Sequence, residues 1–309
     1  MIIQSDDDGQ RLDRFLKKAF PELTYGQSQK LIRTGQIRIN AKRAKSDTRL
    51  QEGDELRLPP SLLNSKDAPK IEFSQKDRDF IADMILHEDD YILVLNKPAG
   101  LAVQGGSKTN RHIDGMLNSY IKKGIKPRLT HRLDKDTSGV LILAKTAEAA
   151  RELTHDFQSH KIQKTYWALT YPAPQQSDGI IDAKIAKSSI RGDGGEMMTH
   201  DENNGQKAIT EFEVVDHAGK DIAFVAFYPK TGRTHQIRVH AKIIGAPLLG
   251  DRKYNDNPFP PESQDIHHGL HLHARSLSLS HPMTKEPMEL HAPLSKAFEK
   301  SWKYYGFSV

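Results

Sequence analysis

A carboxylate, Asp134, lies in a turn-forming segment directly before an apolar run at 140–144. The run is partly β-branched and Gly139 precedes it, so the pattern predicts a buried strand that begins after a tight turn. A surface aspartate is ionised at neutral pH, and an ionised carboxylate at a strand entry can act as a nucleophile. It is poorly suited to act as a general acid. The alternative interpretation is a structural ion pair between Asp134 and Arg132 in the same segment.

Three ordered motifs carry a family resemblance. The segment from 131 reads His-Arg-Leu-Asp, two further residues, Thr-Ser-Gly and an apolar strand that ends in Ala-Lys. Asn-Lys-Pro-Ala-Gly stands at 96–100, and Gly-Arg-Thr-His-Gln-Ile-Arg-Val-His stands at 232–240. These motifs resemble those of the RluA-type pseudouridine synthases. The resemblance implies that Asp134 is catalytic, that Tyr166 stacks on the target base and that Arg238 holds the carboxylate in place.

The reaction of that family turns uridine into pseudouridine without adding or removing an atom. The N-glycosidic bond breaks, the uracil turns, and C5 joins the same ribose carbon. A carboxylate can assist either at the sugar or by adding to the pyrimidine ring, and the sequence leaves both routes open. We expect no cofactor, because neither route needs one. Arg132 is expected to reach into the RNA when the target uridine leaves its stack.

Asn96, Lys97 and Gly100 have two open interpretations. They either shape the floor of the cleft or contact the substrate directly. Asp136 stands at a variable position of the central motif, so we expect it at the surface.

The downstream motif predicts a helix that Thr234 caps and that runs to about Ile244, where Gly245 ends it. His235 and His240 are five positions apart, which places them about 140° apart around a helix. They therefore do not share a face as two ligands of one metal ion would. The chain has no cysteine, which excludes disulfides, thiolate zinc sites and cysteine nucleophiles. We expect no metal site.

The first 60 residues show a separate pattern. Apolar residues at helical spacing predict a helix over 12–19 and a second over 27–34, which ends at Gly35. Alternation of apolar and polar residues predicts two short strands, at 36–40 and 55–58. The sequence therefore predicts a small module of two helices and two strands.

Short motifs in this module resemble those of the S4 domain, a small RNA-binding module: Gly-Gln-Arg-Leu-Asp at 9–13, Leu-Ile-x-x-Gly at 31–35, Ile-Asn at 39–40 and Gly-Asp at 53–54. Between residues 24 and 50 the chain carries seven basic residues and one acidic residue. A solvated lysine-rich surface would explain the charge alone. The resemblance implies instead that the basic side chains contact RNA. The candidate contacts are Lys30, Arg33, Arg38, Lys42 and Arg43.

The rest of the chain predicts a second, larger domain. We assign 1–60 to the S4 domain, 61–79 to a linker rich in proline and polar residues, and 80–309 to the catalytic domain. Periodicity predicts a helix at 147–160, surface loops at 188–204 and 255–268, and strands at 91–95, 140–144, 165–169, 208–215, 222–228 and 270–277. This order predicts an α+β fold with a mixed, largely antiparallel sheet. The resemblance implies an active cleft across its middle.

Composition sets the remaining expectations. The 309 residues suffice for two domains, and the net charge of +5 permits a polyanionic partner. The N-terminus is acidic, unlike a signal peptide, and no apolar run approaches the roughly 18 to 20 residues of a membrane span. No Gly-x-Gly-x-x-Gly motif or phosphate loop indicates a nucleotide cofactor. We expect a cytoplasmic monomer without a membrane partner.

The resemblance thus implies a pseudouridine synthase that acts on large-subunit ribosomal RNA. Three alternatives stay open: a member of the same family with different target uridines, a noncatalytic RNA-binding assembly factor that keeps the fold, and a glycosidase that releases free uracil.

Overall fold

The computed structural model describes residues 1–4, 7–20, 23, 25–63, 75–105, 111–121, 125–188, 197–261, 263 and 265–308. The chain divides into two compact units, Met1–Glu72 and Phe73–Val309. The boundary falls inside the segment predicted as a linker. The last part of that segment, residues 75–79, belongs to a helix of the second unit.

Among the described residues, the first unit contains three helices and a small antiparallel sheet. Helix α1 spans Leu12–Ala19 and helix α2 spans Tyr25–Arg33, as the apolar spacing predicts. The sheet has the order β2-β1-β3. Its strands are β1 (Arg38–Ile39), β2 (Lys42–Arg43) and β3 (Leu56–Arg57), and a short helix α3 (Pro60–Leu63) follows.

Strand β2 is absent from the sequence prediction. Asn40 and Ala41 connect it to β1 with positive φ angles of 49° and 61°. Asparagine favours this conformation, which is the one a tight hairpin turn requires, but alanine does not. Strand β2 itself consists of two exposed basic residues, so it has no alternation of apolar and polar residues from which a strand could be predicted.

The second unit begins with helix α4 (Gln75–Asp83) and ends with helix α8 (Lys296–Tyr304). Between them the described residues form three further α-helices: α5 (Ile113–Met116), which continues as a 3-10 helix at Leu117–Tyr120, α6 (Ala147–Gln158) and α7 (Gln236–Ile243). The strands are β4 (Ile85–Glu88), β5 (Ile92–Lys97), β6 (Arg128–Leu129), β7 (Ser138–Ala144), β8 (Gln163–Thr170), β9 (Asp178–Lys187), β10 (Met198–His200), β11 (Gln206–Ala218), β12 (Ile222–Pro229), β13 (Leu272–Ser280) and β14 (Pro287–His291).

Within the described ranges these eleven strands form one sheet with the order β10-β9-β11-β12-β8-β13-β7-β5-β4, with β14 added beside β13 and β6 beside β7. The pairing of β13 with β7 is parallel, whereas the other pairings of the described strands are antiparallel. The α+β class and the mixed, largely antiparallel sheet are therefore confirmed. Strand β7 is buried along its whole length in the middle of the sheet, directly after the turn that carries Asp134.

The apolar strands and helix α6 were predicted close to their observed positions, but other elements were missed. Strand β9 alternates buried and exposed residues and carries charged side chains on its exposed face. Strand β10 lies inside the segment predicted as a loop at 188–204, of which residues 189–196 fall outside the described part. In both cases polar residues on a one-sided sheet concealed the strand.

Strands β7 and β13 approach each other very closely at Gly139. This residue has a φ of +116°, and a Cβ atom built there would lie 2.1 Å from the carbonyl oxygen of Ala274. One position earlier, the Ser138 hydroxyl contacts His273 Nδ1 at 2.8 Å. Glycine is therefore required where the parallel pair forms, and this pair fixes the start of β7.

Candidate active site

A cleft of about 480 Å³ opens beside the start of β7. Its walls come from the turn before β7, from helix α6, from strand β8 and from the segment that leads into α7. Four of the predicted site residues line this one cleft: Arg132, Asp134, Tyr166 and Arg238. The three motifs therefore do not contribute equally, because the Asn-Lys-Pro-Ala-Gly segment is absent from the lining.

Lys97 of that segment does not line the cleft but binds the backbone of the turn that carries Asp134. Its side chain is fully buried, and Nζ donates hydrogen bonds to the carbonyl oxygens of Pro98 (2.9 Å), Leu101 (2.8 Å) and Lys135 (3.0 Å). Burial lowers the pKa of Lys97 to about 7, while the carboxylates of Asp136 and Asp134 act in the opposite direction. Lys97 thus braces the turn that carries Asp134, which favours its predicted structural role over direct substrate contact.

The turn itself is closed by its own backbone. The Thr137 N–H donates to the Asp134 carbonyl oxygen at 3.2 Å, and the Thr137 side chain is buried. Asp136 is exposed, as predicted. The Asp134 side chain is half-buried at the cleft wall and stays accessible to a molecule that enters the cleft.

Two residues that precede Asp134 have different environments. The His131 ring stacks on Phe157 with centroids 4.3 Å apart, and its Nε2 accepts a hydrogen bond from the Ile142 N–H at 3.0 Å. Burial, assisted by the charge of Lys164, lowers the pKa of His131 to about 3, so the ring is neutral. Arg132 is exposed and makes no ion pair within the described part of the chain. The ion-pair interpretation of Arg132 and Asp134 is therefore not supported.

Tyr166 lies on β8, lines the cleft and packs against two separate apolar clusters. Burial and the charge of Asp134 raise the pKa of its hydroxyl above the usual value. The phenol therefore keeps its proton at neutral pH. Tyr166 and Asp134 both line the cleft, and the contact of Tyr166 to a target base stays a prediction.

Arg238 has a different carboxylate partner from the one we expected. Its guanidinium binds Asp251 in a bidentate manner, with Nε 2.8 Å from Oδ2 and Nη2 2.6 Å from Oδ1. Both side chains are buried. Burial alone disfavours the charged guanidinium, but the hydrogen bonds and charge of Asp251, with a smaller contribution from Asp134, raise the pKa of Arg238. The prediction that Arg238 grips Asp134 is wrong, because Asp251 occupies the bidentate face and leaves only a longer-range attraction to Asp134.

Sequence reasoning missed Asp251. Its carboxylate also accepts hydrogen bonds from the backbone N–H groups of Lys253 and Tyr254, so it caps its own loop while it binds Arg238. The sequence did offer one signal, because Asp251 directly follows the apolar segment Leu-Leu-Gly. An acidic side chain beside such a segment can be buried only if it is paired, so it predicts a basic partner.

The start of α7 also differs from the prediction. Thr234 does not cap the helix, because the N-cap residue is His235, in the left-handed conformation with φ 53° and ψ 20°. The side-chain amide of Gln236 holds this entry segment. Its Oε1 accepts hydrogen bonds from the Thr231 hydroxyl and the Arg233 N–H, and its Nε2 donates to the Ile209 carbonyl and the Thr210 hydroxyl. Gly245 ends the helix with a φ of +71°, as predicted.

The two histidines of this helix have separate partners. His235 contacts the Tyr254 hydroxyl through Nδ1, whereas His240 contacts the Thr210 hydroxyl through its own Nδ1. In the part of the chain that the structure describes, no three histidine, aspartate or glutamate side chains converge on a possible metal position.

The predicted RNA contacts of the first unit fall into two groups. Lys30, Arg33, Lys42 and Arg43 are exposed, on α2 and β2. Arg38 is half-buried, and its guanidinium donates to the carbonyl oxygens at positions 35 and 41. Arg38 therefore has a structural role in the β1–β2 hairpin.

Comparisons with known proteins agree with this architecture. Residues 91–242 match the family described as RNA pseudouridylate synthase, and residues 10–56 match the S4 domain. The chain is 35% identical to "Ribosomal large subunit pseudouridine synthase C" of Vibrio vulnificus, over 97% of this chain and 94% of that protein. It is 36% identical to the protein of the same name from Rickettsia bellii, over 94% of this chain and 96% of that protein.

Solved structures give the same result. Human RNA Pseudouridylate Synthase Domain Containing 4 is similar with a TM-score of 0.63 and 31% identity, over 76% of this chain and 98% of the human chain. Human RNA Pseudouridylate Synthase Domain Containing 1 gives a TM-score of 0.55 and 27% identity, over 68% and 82% respectively. Among the described residues, no helix has the length and apolar character needed to cross a membrane.

Proposed function

Since this chain belongs to the RluA-type pseudouridine synthases and is therefore an isomerase, we propose that it converts specific uridines of 23S large-subunit ribosomal RNA to pseudouridine. The observation that carries the proposal is the position of Asp134 at the wall of a cleft that also contains Tyr166 and Arg132. The names of the curated relatives support the choice of RNA.

Asp134 is the proposed nucleophile. Its turn is held by Lys97 and by the Thr137 N–H, so the carboxylate meets the substrate in a preformed geometry. Tyr166 offers an aromatic face beside it, and the protonated hydroxyl adds no second negative charge. The carboxylate then acts either at the ribose or at the pyrimidine ring, and both routes use the same position.

Base extrusion is the proposed step before chemistry. A uridine inside an RNA stack cannot bring its glycosidic bond to Asp134, so it must leave the stack. Arg132 is exposed at the cleft and makes no ion pair within the described ranges. Its planar guanidinium is suited to stack in the space that the uridine leaves.

The first unit supplies affinity in this proposal. Its exposed lysines and arginines on α2 and β2 contact phosphates, which position an RNA but carry little sequence information. The cleft selects the uridine. Three alternatives stay open: a member of the same family with different target uridines, called here the D type, a noncatalytic assembly factor with the same fold, and a glycosidase.

The test is to map pseudouridines in large-subunit ribosomal RNA from cells with and without this protein, after complementation with variants. Asp134→Asn keeps the shape of the side chain but loses the nucleophile, so we expect no pseudouridine at the target positions and unchanged RNA binding. Asp136→Asn, in the same turn but exposed, is the matched control and should restore every target.

The outcomes separate the alternatives. Loss of RNA binding together with activity in Asp134→Asn would indicate a structural aspartate. Unchanged pseudouridine after removal of the protein would support the assembly-factor alternative, and a different set of lost sites would identify the D type. Release of free uracil from RNA would identify a glycosidase.

A further inference from the structure

The side chain of His235 lines the cleft but has no role in the mechanism described so far. The charge of Asp134 acts on its ring. Its Nδ1 lies 2.6 Å from the Tyr254 hydroxyl oxygen, which also accepts a hydrogen bond from the Met198 N–H at 2.9 Å. Tyr254 therefore holds the imidazole at Nδ1, and strand β10 holds Tyr254 through the Met198 N–H.

This contact selects a tautomer. The Tyr254 hydroxyl already accepts from Met198, and its own hydrogen has His235 Nδ1 as its acceptor among the described residues. If Nδ1 carried a proton instead, the hydroxyl hydrogen of the buried Tyr254 would be left without an acceptor, which costs about 1–3 kcal/mol. The neutral ring therefore carries its hydrogen on Nε2.

Burial keeps the His235 ring neutral. Burial is the largest effect and lowers the pKa of His235. The carboxylates of Asp134 and Asp251 oppose it, while the cations Arg238 and Lys253 reinforce it. The Tyr254 phenol stays protonated because burial, the largest effect, raises its pKa. At neutral pH His235 therefore presents a neutral N–H donor in the cleft that Asp134 also lines.

The backbone at His235 is strained. A non-glycine residue with a φ of 53° is uncommon and persists only when its surroundings hold it. The hydrogen bonds of the Gln236 amide hold the segment before the helix, and Tyr254 holds the side chain. Such strain is typical of positions where an active site requires one particular direction of a side chain.

We propose that His235 is a catalytic residue whose Nε2–H donates a hydrogen bond to a carbonyl oxygen of the target uracil, and that Tyr254 is the positioning residue that fixes this donor. The proposal rests on the proposed function. Cleavage of the glycosidic bond leaves its electron pair on the uracil, and attack on the ring also moves an electron pair onto it. In both routes a carbonyl oxygen gains negative charge, and a fixed donor stabilises it without giving up its proton.

A neutral donor also suits the neighbouring nucleophile. An imidazolium in the same place would attract the carboxylate of Asp134 and hold it in an ion pair. The neutral ring leaves that carboxylate available, so the roles of the two side chains are compatible.

The kinetic test compares two substitutions at one position. In His235→Asn the residue tolerates the left-handed backbone, but its short amide does not reach the position of Nε2. In His235→Gln the longer side chain places its amide nitrogen at that position. We expect the single-turnover rate at saturating enzyme to fall about a hundredfold in the Asn variant, as for loss of one fixed donor, and to recover about tenfold in the Gln variant. RNA affinity should not change. His217→Asn, on the exposed end of β11, is the control. A rate in His235→Asn within about twofold of wild type would overturn the proposal.

The structural test does not depend on activity. Long-range ¹H–¹⁵N spectra of the full-length protein labelled at histidine should show His235 at pH 7 as the neutral Nε2–H tautomer. Tyr254→Phe should remove that preference, whereas Tyr228→Phe, near the exposed side chain of Glu213, should leave it unchanged. An Nδ1–H tautomer or an imidazolium would overturn the proposal even if the enzyme makes pseudouridine. Absence of pseudouridine with the expected tautomer would instead reject the proposed function.

Discussion

The close approach of β7 and β13 predicts that Gly139→Ala is strongly destabilising. The new methyl carbon would lie 2.1 Å from the Ala274 carbonyl oxygen and 2.7 Å from the Ala274 backbone nitrogen and carbonyl carbon. Real Cβ atoms essentially never approach below 3.0 Å, so the two strands must separate by roughly 1 Å. These strands pair in the middle of the sheet, where a separation cannot be absorbed by a loop.

The magnitude has two parts. Overpacking in a tight interior costs about 1–3 kcal/mol, and a positive φ in a residue with a side chain costs a further 1–3 kcal/mol or so. We therefore expect Gly139→Ala to lower the free energy of unfolding by about 4 kcal/mol. Gly219→Ala is the matched control, because Gly219 also has a positive φ, of +65°, but no atom lies within 4 Å of its added Cβ. Its cost should be about 1 kcal/mol, since the smaller entropy of the unfolded chain offsets part of the strain.

Thermal unfolding followed by circular dichroism gives the comparison. A difference of about 3 kcal/mol corresponds to a Tm roughly 10 °C lower for Gly139→Ala than for Gly219→Ala in a domain of this size. Pseudouridine formation at low temperature should also fall, because the turn that carries Asp134 ends at this pair of strands. Equal stability of the two alanine variants would refute the inference that backbone contact requires glycine at 139.

Three further predictions follow from the site and from the first unit. Arg238→Lys should lower the free energy of unfolding by about 3 kcal/mol and reduce turnover, because one ammonium cannot replace the buried bidentate pair with Asp251. Unchanged denaturation curves would contradict this prediction. Lys97→Met should change the pH dependence of stability: the pKa of Lys97 is about 7 in the fold but near 10.4 in an unfolded chain, so the unfolded state binds more protons between these values. The stability of wild type relative to the variant should then rise by up to about 1.4 kcal/mol per pH unit from pH 7 to 9, and a flat difference in urea titrations would refute it. Joint substitution of Lys42 and Arg43 by glutamate should weaken RNA binding and flatten its salt dependence while the saturated single-turnover rate stays near wild type, and a collapsed saturated rate would place the S4 domain in the catalytic machinery.

The apolar elements were predictable from the sequence because they are buried on a regular period. Strand β7 is buried at every position, and helix α6 follows the Thr146 side chain, which caps it. The central motif likewise identified Asp134, which the structure places in the cleft. Local pattern and burial agree in these elements, so the sequence was a sufficient guide.

The partners of the buried charges were not predictable. Arg238 binds Asp251, thirteen positions away on the other side of the helix end, and no local pattern distinguishes that carboxylate from Asp134. The same holds for Lys97, whose ammonium binds a carbonyl oxygen of Lys135. Thr234 satisfied the rule for a helix cap, but the Gln236 amide and the Tyr254 contact fix a different start. Each of these choices depends on segments that meet only in the folded protein.

The parallel pair of β7 and β13 has a consequence for the order of folding. Its partners Ser138 and His273 are 135 positions apart, whereas neighbouring pairs such as β11 with β12 are local hairpins. Closing so long a loop carries a large entropy cost before contacts compensate for it, so we expect the hairpins to form first and this pair late. The turn with Asp134 then becomes complete only when β13 has paired with β7. Activity would thus appear together with the finished fold, and partly folded chains that already bind RNA would leave it unmodified.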